Sequence, residues 1–93
     1  KKFVVTPGFV ELGFSENEYN FKAGVFMAGV ADKAILVGRG GALHVKEGLL
    51  YKGYDPANIL MVADLDEAKL KLTELLRPGD AVLFENDLMD KYL

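Results

Sequence analysis

Apolar residues gather in four short blocks, separated by longer stretches of helical period. The blocks are Phe3-Val4-Val5-Thr6, Lys33-Ala34-Ile35-Leu36-Val37, Ile59-Leu60-Met61-Val62 and Ala81-Val82-Leu83-Phe84. Each is apolar on both alternating sets of positions and is bounded by Gly, Pro, Asp or Asn. Strands buried on both faces have this pattern, which predicts a mainly parallel four-stranded sheet with helices packed on each side. The strands fall near residues 3–6, 33–37, 59–62 and 81–84, and three helices near 16–31, 42–52 and 65–76. Right-handed crossovers follow from chain chirality. Sheets of this kind place their functional groups in the loops that leave the strand C-termini. Those loops are Pro7 to Phe14, Gly38 to Gly41, Ala63-Asp64 and Glu85 to Leu93.

Local signals support the helices. Ser15 and Glu18 have capping-box spacing, as do Asp64 and Glu67. Gly53 suits the left-handed position after the second helix, and Asp55-Pro56 marks a turn. In the third helix Leu65, Ala68, Leu72, Leu75 and Leu76 share one face, with Lys69, Lys71 and Glu74 off it. Arg77-Pro78-Gly79-Asp80 is a tight turn into the last strand.

Composition narrows the class. The 93 residues fit one domain, 1–93, with a single modest core. The net charge of −3 and scattered Lys and Arg leave no footprint for nucleic acid. With no cysteine and one histidine, neither a disulfide framework nor a zinc site is expected. No apolar run reaches the ~18 residues that span a membrane. The expected compartment is the cytoplasm, with which the lack of cysteine is compatible. Lys1-Lys2 runs straight into a strand without an initiating Met, as expected of a stretch cut from a longer chain or of one whose ends were trimmed.

Candidate chemistry is sparse. Gly38-Arg39-Gly40-Gly41 lies between a strand and a helix, where backbone N–H groups can hold a phosphate. It is neither a full dinucleotide fingerprint nor a P-loop, and a plain strand-to-helix turn explains it as well. Glu11 sits in a long loop and suits either a cation or substrate amine, or a capping role. His44, in the first turn of the second helix, has no acid or nucleophile spaced to pair with it. Glu85, Asp87 and Asp90 suit either a hard cation or a solvated terminus. No catalytic constellation is complete.

The loops also carry a resemblance. Val4-Val5-Thr6-Pro7-Gly8-Phe9-Val10-Glu11-Leu12-Gly13, the helix around Asn20 and Gly24, and Val30-Ala31-Asp32 with Ile35-Leu36-Val37-Gly38 open it. Glu47-Gly48-Leu49-Leu50, Gly53-Tyr54-Asp55, Leu76-Arg77-Pro78-Gly79-Asp80 and Val82-Leu83-Phe84-Glu85-Asn86-Asp87-Leu88 continue it. Together they resemble the C-terminal domain of Mur ligases, of the type that adds D-alanyl-D-alanine in peptidoglycan synthesis. The resemblance implies an α/β, Rossmann-like three-layer sandwich. It implies a domain that closes over a central ATPase domain and helps bind the incoming dipeptide, with Glu11, Asn20, Asn86 and Asp87 at the substrate-binding positions. ATP and magnesium are implied for the full-length ligases, which form an amide through an acyl phosphate. No cofactor is expected in this chain itself.

Departures from the family pattern are informative. The usual Gly-Asp-Met-x before Glu-Leu-Gly is here Pro7-Gly8-Phe9-Val10, so Gly8 replaces the acid and only Glu11 carries over. The His often found on the next helix is Asn20. The common Lys-Gly-Ser-Arg stretch after the last strand is Glu85-Asn86-Asp87-Leu88. The segment that opens the domain, the P-loop and the UDP-substrate domain are missing from these 93 residues, so no ligation by the isolated chain is expected.

The first helix fits this pattern poorly. Tyr19, Phe21, Ala23, Val25, Phe26, Met27, Ala28 and Val30 cover most of its circumference, where one sheet face needs only a stripe. Ala23, Met27 and Val30 are expected on the sheet, leaving Phe21, Val25 and Phe26 pointing sideways or outward. They either pack on a missing segment or, with Leu43 and Tyr51, form a protein-binding patch. Two function classes therefore stand. One is an acceptor-binding ligase domain, inert alone. The other is a protein-interaction module, natural or designed on this scaffold, which binds a partner or a second copy through the first helix.

Overall fold

The computed structural model describes residues 1–9 and 16–85. It contains four strands, β1 (Lys2–Thr6), β2 (Lys33–Val37), β3 (Ile59–Val62) and β4 (Ala81–Phe84), and three α-helices, α1 (Glu16–Met27), α2 (Gly40–Tyr51) and α3 (Leu65–Leu75). The sheet is wholly parallel, in the order β3-β2-β1-β4. From β1 to β3 the chain steps one way across the sheet, which puts α1 and α2 together on one face. It then doubles back to β4, which puts α3 on the other, as right-handed crossovers require. The result is a Rossmann-like three-layer α/β arrangement.

Two core layers follow from the alternation of side chains along the strands. Val4, Ala34 and Leu36 point to the α1–α2 face, where they meet Met27, Ala31, Ala42, Val45 and Leu49. Phe3, Val5 and Ile35 point to the other face, against Val62, Ala68 and Leu72. β1 and β2 are buried on both faces as their sequences predict. β4 is not: Leu83 and Phe84, on opposite faces, are about half exposed. It is an edge strand, of which only Val82 is half-buried, packed on the α3-side core.

Element ends differ from the sequence expectation where backbone bonds decide. α1 stops at Met27 rather than Ala31, because Gly29 and Val30 tighten into i→i+3 bonds to Phe26 and Met27. α2 begins at Gly40, two residues early. Asp55-Pro56 opens a short 3₁₀ turn, with the Asp55 carboxylate accepting from the Ala57 amide at 2.9 Å. At α3 the cap forms: Asp64 accepts from the Glu67 amide at 2.8 Å, and Glu67 reaches back to the Ala63 amide at 2.6 Å. Ser15 lies outside the described residues; Glu18 pairs with Lys22 at 3.0 Å. The apolar stripe of α3 is buried at Ala68 and Leu72, while Leu65 and Leu76 at its ends stay exposed.

Among the described residues, α1 and α2 approach backbone to backbone. A Cβ on Gly24 would fall 2.0 Å from the Val45 carbonyl oxygen, and one on Gly48 would fall 2.0 Å from that of Phe21. The two glycines thus let each helix seat its backbone in the other. α1 is therefore buried along two sides, one on the sheet and one on α2. Phe21 and Val25 belong to the second side.

Candidate functional site

The direction of chain crossing reverses between β1 and β4, and ligands of open α/β sheets bind at the C-terminal ends of strands beside such a reversal. The described part of this mouth is stiff. The chain leaves β1 through Thr6, which is fully buried and whose hydroxyl accepts from the Gly8 amide at 3.0 Å. Gly8 has φ +84°, and a Cβ there would lie 2.6 Å from the Gly41 carbonyl carbon. Both facts restrict the position to glycine. They also seat the β1 loop on the N-terminus of α2.

Asn20 completes the bracket. Its Oδ1 accepts from the Phe9 amide at 2.7 Å, and its Nδ2 donates to the carbonyls of Phe9 at 2.8 Å and Glu16 at 2.9 Å. The side chain is 0% exposed. Expected at a substrate-binding position, Asn20 instead spends its amide on the backbone, holding the β1 loop to α1. The Phe9 ring is buried edge-on against Tyr19, with centroids 5.3 Å apart. On the other side of the mouth, the Glu85 amide donates to the Val5 carbonyl at 2.9 Å and carries the β4 ladder one residue beyond the strand. Glu11, Asn86 and Asp87 lie outside the described residues, on the two segments that continue from this bracket.

The other sequence candidates are not brought to the mouth. Gly38 has φ +81° and its amide donates to the Val62 carbonyl, so the Gly38–Gly41 turn opens over the ends of β2 and β3. A shallow pocket of about 480 Å³ lies there, between Arg39, Leu43, Met61 and Ala63. Arg39 precedes α2 without a capping side-chain bond. His44, expected to have no acid spaced to pair with it, has one on its own helix: its Nδ1 lies 2.8 Å from the Glu47 carboxylate, one turn on. Among the described residues no cluster of three His, Asp or Glu could hold a metal ion, and no helix is long and apolar enough to cross a membrane.

The expected patch of Phe21, Val25, Phe26 and Leu43 does not form as one surface. Phe21 and Val25 are half-buried at the α2 contact, with the Phe21 ring 5.4 Å from that of Tyr51. Leu43 lies at the β2–β3 pocket. Phe26 points the other way. It is 71% exposed and lines a groove of about 400 Å³ between α1 and β4, with Tyr19, Val30 and Leu83. The groove floor is Val4 and Met27, and Glu85 stands at its end. Sequence reading missed this groove, because only the strand order shows that β4 lies at the sheet edge.

Among the described residues two side chains have shifted acidities, and both lie at the N-terminal end of the strands, opposite the mouth. Burial, and secondarily the Asp32 carboxylate, raises the Tyr54 phenol; its hydroxyl donates to the Ala31 carbonyl at 2.7 Å. The Asp80 carboxyl is lowered, first by the hydrogen bond from the main-chain amino group of Lys1 at 2.6 Å and next by the Arg77 amide.

No family model, curated protein sequence or solved structure matches the chain.

Proposed function

We propose that this chain is the acceptor-binding, C-terminal-type domain of a Mur-like amide ligase, without catalytic activity by itself. The observation that carries this is a convergence. The two segments to which the resemblance assigns acceptor-binding positions, Thr6 to Gly13 and Glu85 to Leu88, leave the adjacent parallel strands β1 and β4 at the same end of the sheet. That end is the crossover reversal, where a small acceptor would find backbone polar groups from both segments. Glu11 is assigned to the acceptor ammonium, and Asn86 and Asp87 to its peptide and flank. Asn20 is assigned a positioning task, because it fixes the loop from which Glu11 extends. ATP and magnesium belong to the central domain in that family. This chain carries no P-loop, so its own contribution is binding and orientation.

An amide-resolved NMR titration with D-alanyl-D-alanine tests this. Shifts confined to the neighbourhood of Thr6–Phe9 and Glu85, weakened by Glu11→Gln and not reproduced by L-alanyl-L-alanine, are expected. Absence of shifts, or shifts centred on the Gly38–Gly41 turn, would overturn the assignment. The chain mixed with ATP, magnesium and the dipeptide should release no phosphate above background. The alternative, a protein-interaction module, rests on Phe26 and its groove, since Phe21 and Val25 are turned toward α2.

A further inference from the structure

We infer that two copies of this chain pair antiparallel through the outer edge of β4, about a twofold axis at Leu83. The inference is independent of the acceptor reading. Ala81 and Glu85 donate to the carbonyls of Lys1 and Val5. Backbone groups alternate in direction along a strand, so Ala81, Leu83 and Glu85 bond to β1. The N–H and C=O groups of Val82 and Phe84 face the other way, and no described residue meets them. Such a row of unpaired groups is a template for another strand. β4 lacks the usual protection, since Ala81–Phe84 contains neither a charge nor a proline. The other edge strand, β3, is better shielded. Its Ile59 packs on the α1–α2 layer, and its Leu60 and Val62 on the α3 layer.

A second copy of β4 is self-complementary to this edge. In an antiparallel pair, opposed residues whose N–H and C=O groups face each other exchange two hydrogen bonds. Setting Val82 opposite Phe84 of the second copy, and Phe84 opposite its Val82, satisfies every outward group of both strands. A two-residue slip one way sets Phe84 opposite Asp80, whose amide already bonds the Arg77 carbonyl. A slip the other way carries Val82 past the end of β4. In the matched register Leu83 meets itself at the axis as a non-hydrogen-bonded pair, where side chains come closest. The two Leu83 side chains then join on the α1 side, where each lines the groove with Phe26. On the α3 side Val82 meets Phe84, a β-branched and aromatic pair of the kind that stabilises antiparallel ladders. Leu83, Phe84 and Phe26 are 53%, 47% and 71% exposed. At ~150–250 Å² per aromatic side chain, they offer roughly 300 Å² per chain before edge backbone and flanks are added. That is the scale of a small, reversible interface. The pair is closed, because each copy has used its β4 edge.

Sedimentation equilibrium of the full chain, over the micromolar to millimolar range, tests this. The mass should rise from one chain, 10.2 kDa, toward two and no further. Leu83→Lys and Leu83→Glu should each hold it at one chain, because each sets like charges opposite one another at the axis. Mixing the two variants should restore a pair. Leu83 is half exposed, so both variants should keep the parent's thermal midpoint. In a mixture of isotope-labelled and unlabelled parent, interchain nuclear Overhauser contacts should link Leu83 to Leu83 and Val82 to Phe84, which reads the register without any substitution. One-chain mass throughout, growth beyond two chains, or a pair that survives Leu83→Lys overturns the proposal. So does a variant mixture that stays unpaired, or interchain contacts at Ile59–Val62 instead of β4.

Discussion

Replacing Gly24 by alanine sets two known effects against each other. In an exposed helix interior the change stabilises by about 1 kcal/mol, since glycine loses more backbone entropy on folding. Here the added methyl meets the Val45 carbonyl oxygen at 2.0 Å and the Leu49 amide nitrogen at 2.9 Å. Close carbon–oxygen contacts between helices settle near 3.3–3.6 Å, so α1 and α2 must separate by roughly 1 Å. Both obstacles are backbone, and no side chain can rotate away. Overpacking of this kind costs typically about 1–3 kcal/mol, and a backbone clash lies at or above the upper end. The net expectation is a loss of about 2 kcal/mol, or a midpoint lowered by roughly 10 °C for a chain this size. Gly48→Ala should do the same, through the Phe21 carbonyl. The pair should be less than additive, because helices already spread by one methyl accommodate the second. Gly40→Ala is the control: nothing lies within 4 Å of its Cβ position, and it should hold or raise the midpoint. Thermal and urea unfolding followed by circular dichroism would measure all four variants. A Gly24→Ala midpoint equal to or above that of the parent would refute the close-crossing account of α1 and α2.

Asn20→Ala should cost about 2–3 kcal/mol, because it strands the Phe9 amide and carbonyl without side-chain partners in a buried loop; a shifted urea midpoint, with amide changes centred on Phe9, would confirm it. Tyr54→Phe should cost about 1 kcal/mol at neutral pH. A phenol raised in the folded state adds stability that is full below the ordinary tyrosine range and lost as pH rises above it through the raised folded value, so the variant should lose less stability on alkaline titration than the parent. The Asp80 carboxyl is lowered, so its contribution is present above the ordinary carboxylate range and disappears as pH falls through the folded value. Asp80→Asn should therefore flatten the acid limb of the stability curve, and equal acid limbs in parent and variant would exclude that pairing in solution.

Much of the fold is legible from sequence because the strongest signals are local. β-branched blocks bounded by turn residues give all four strands to within a residue, and the Asp64–Glu67 spacing gives the start of α3. α1 is harder. A single stripe is the usual demand on a helix over a sheet, so Phe21 and Val25 read as surplus. They are needed because Gly24 draws α2 into contact, and a glycine in a helix does not by itself say which neighbour it admits. Asn20 is opaque for a related reason: its partners are backbone groups of Phe9 and Glu16, which have no side-chain signature. Gly8 reads as the loss of a family acid, whereas its positive φ and its contact with Gly41 make it a turn that no acid could occupy without strain. Apolar β4 reads like a central strand, and only the sheet order reveals it as an edge.

β1 comes early in the chain yet lies inside the sheet, between β2 and a strand from the far end of the sequence. Lys1 and Asp80, which adjoin across that pairing, are 79 positions apart. During synthesis, β1, β2 and β3 with their helices can assemble while the outer edge of β1 still lacks a neighbour. That edge carries Phe3, Val4 and Val5, with a charge only at its first residue, Lys2, and no proline within the strand to keep it from joining another edge. At a ribosomal rate of roughly 5–20 residues per second the exposure lasts seconds, and it ends only when Ala81–Phe84 is released. The most aggregation-prone moment in the life of this protein therefore falls just before its chain is complete through β4.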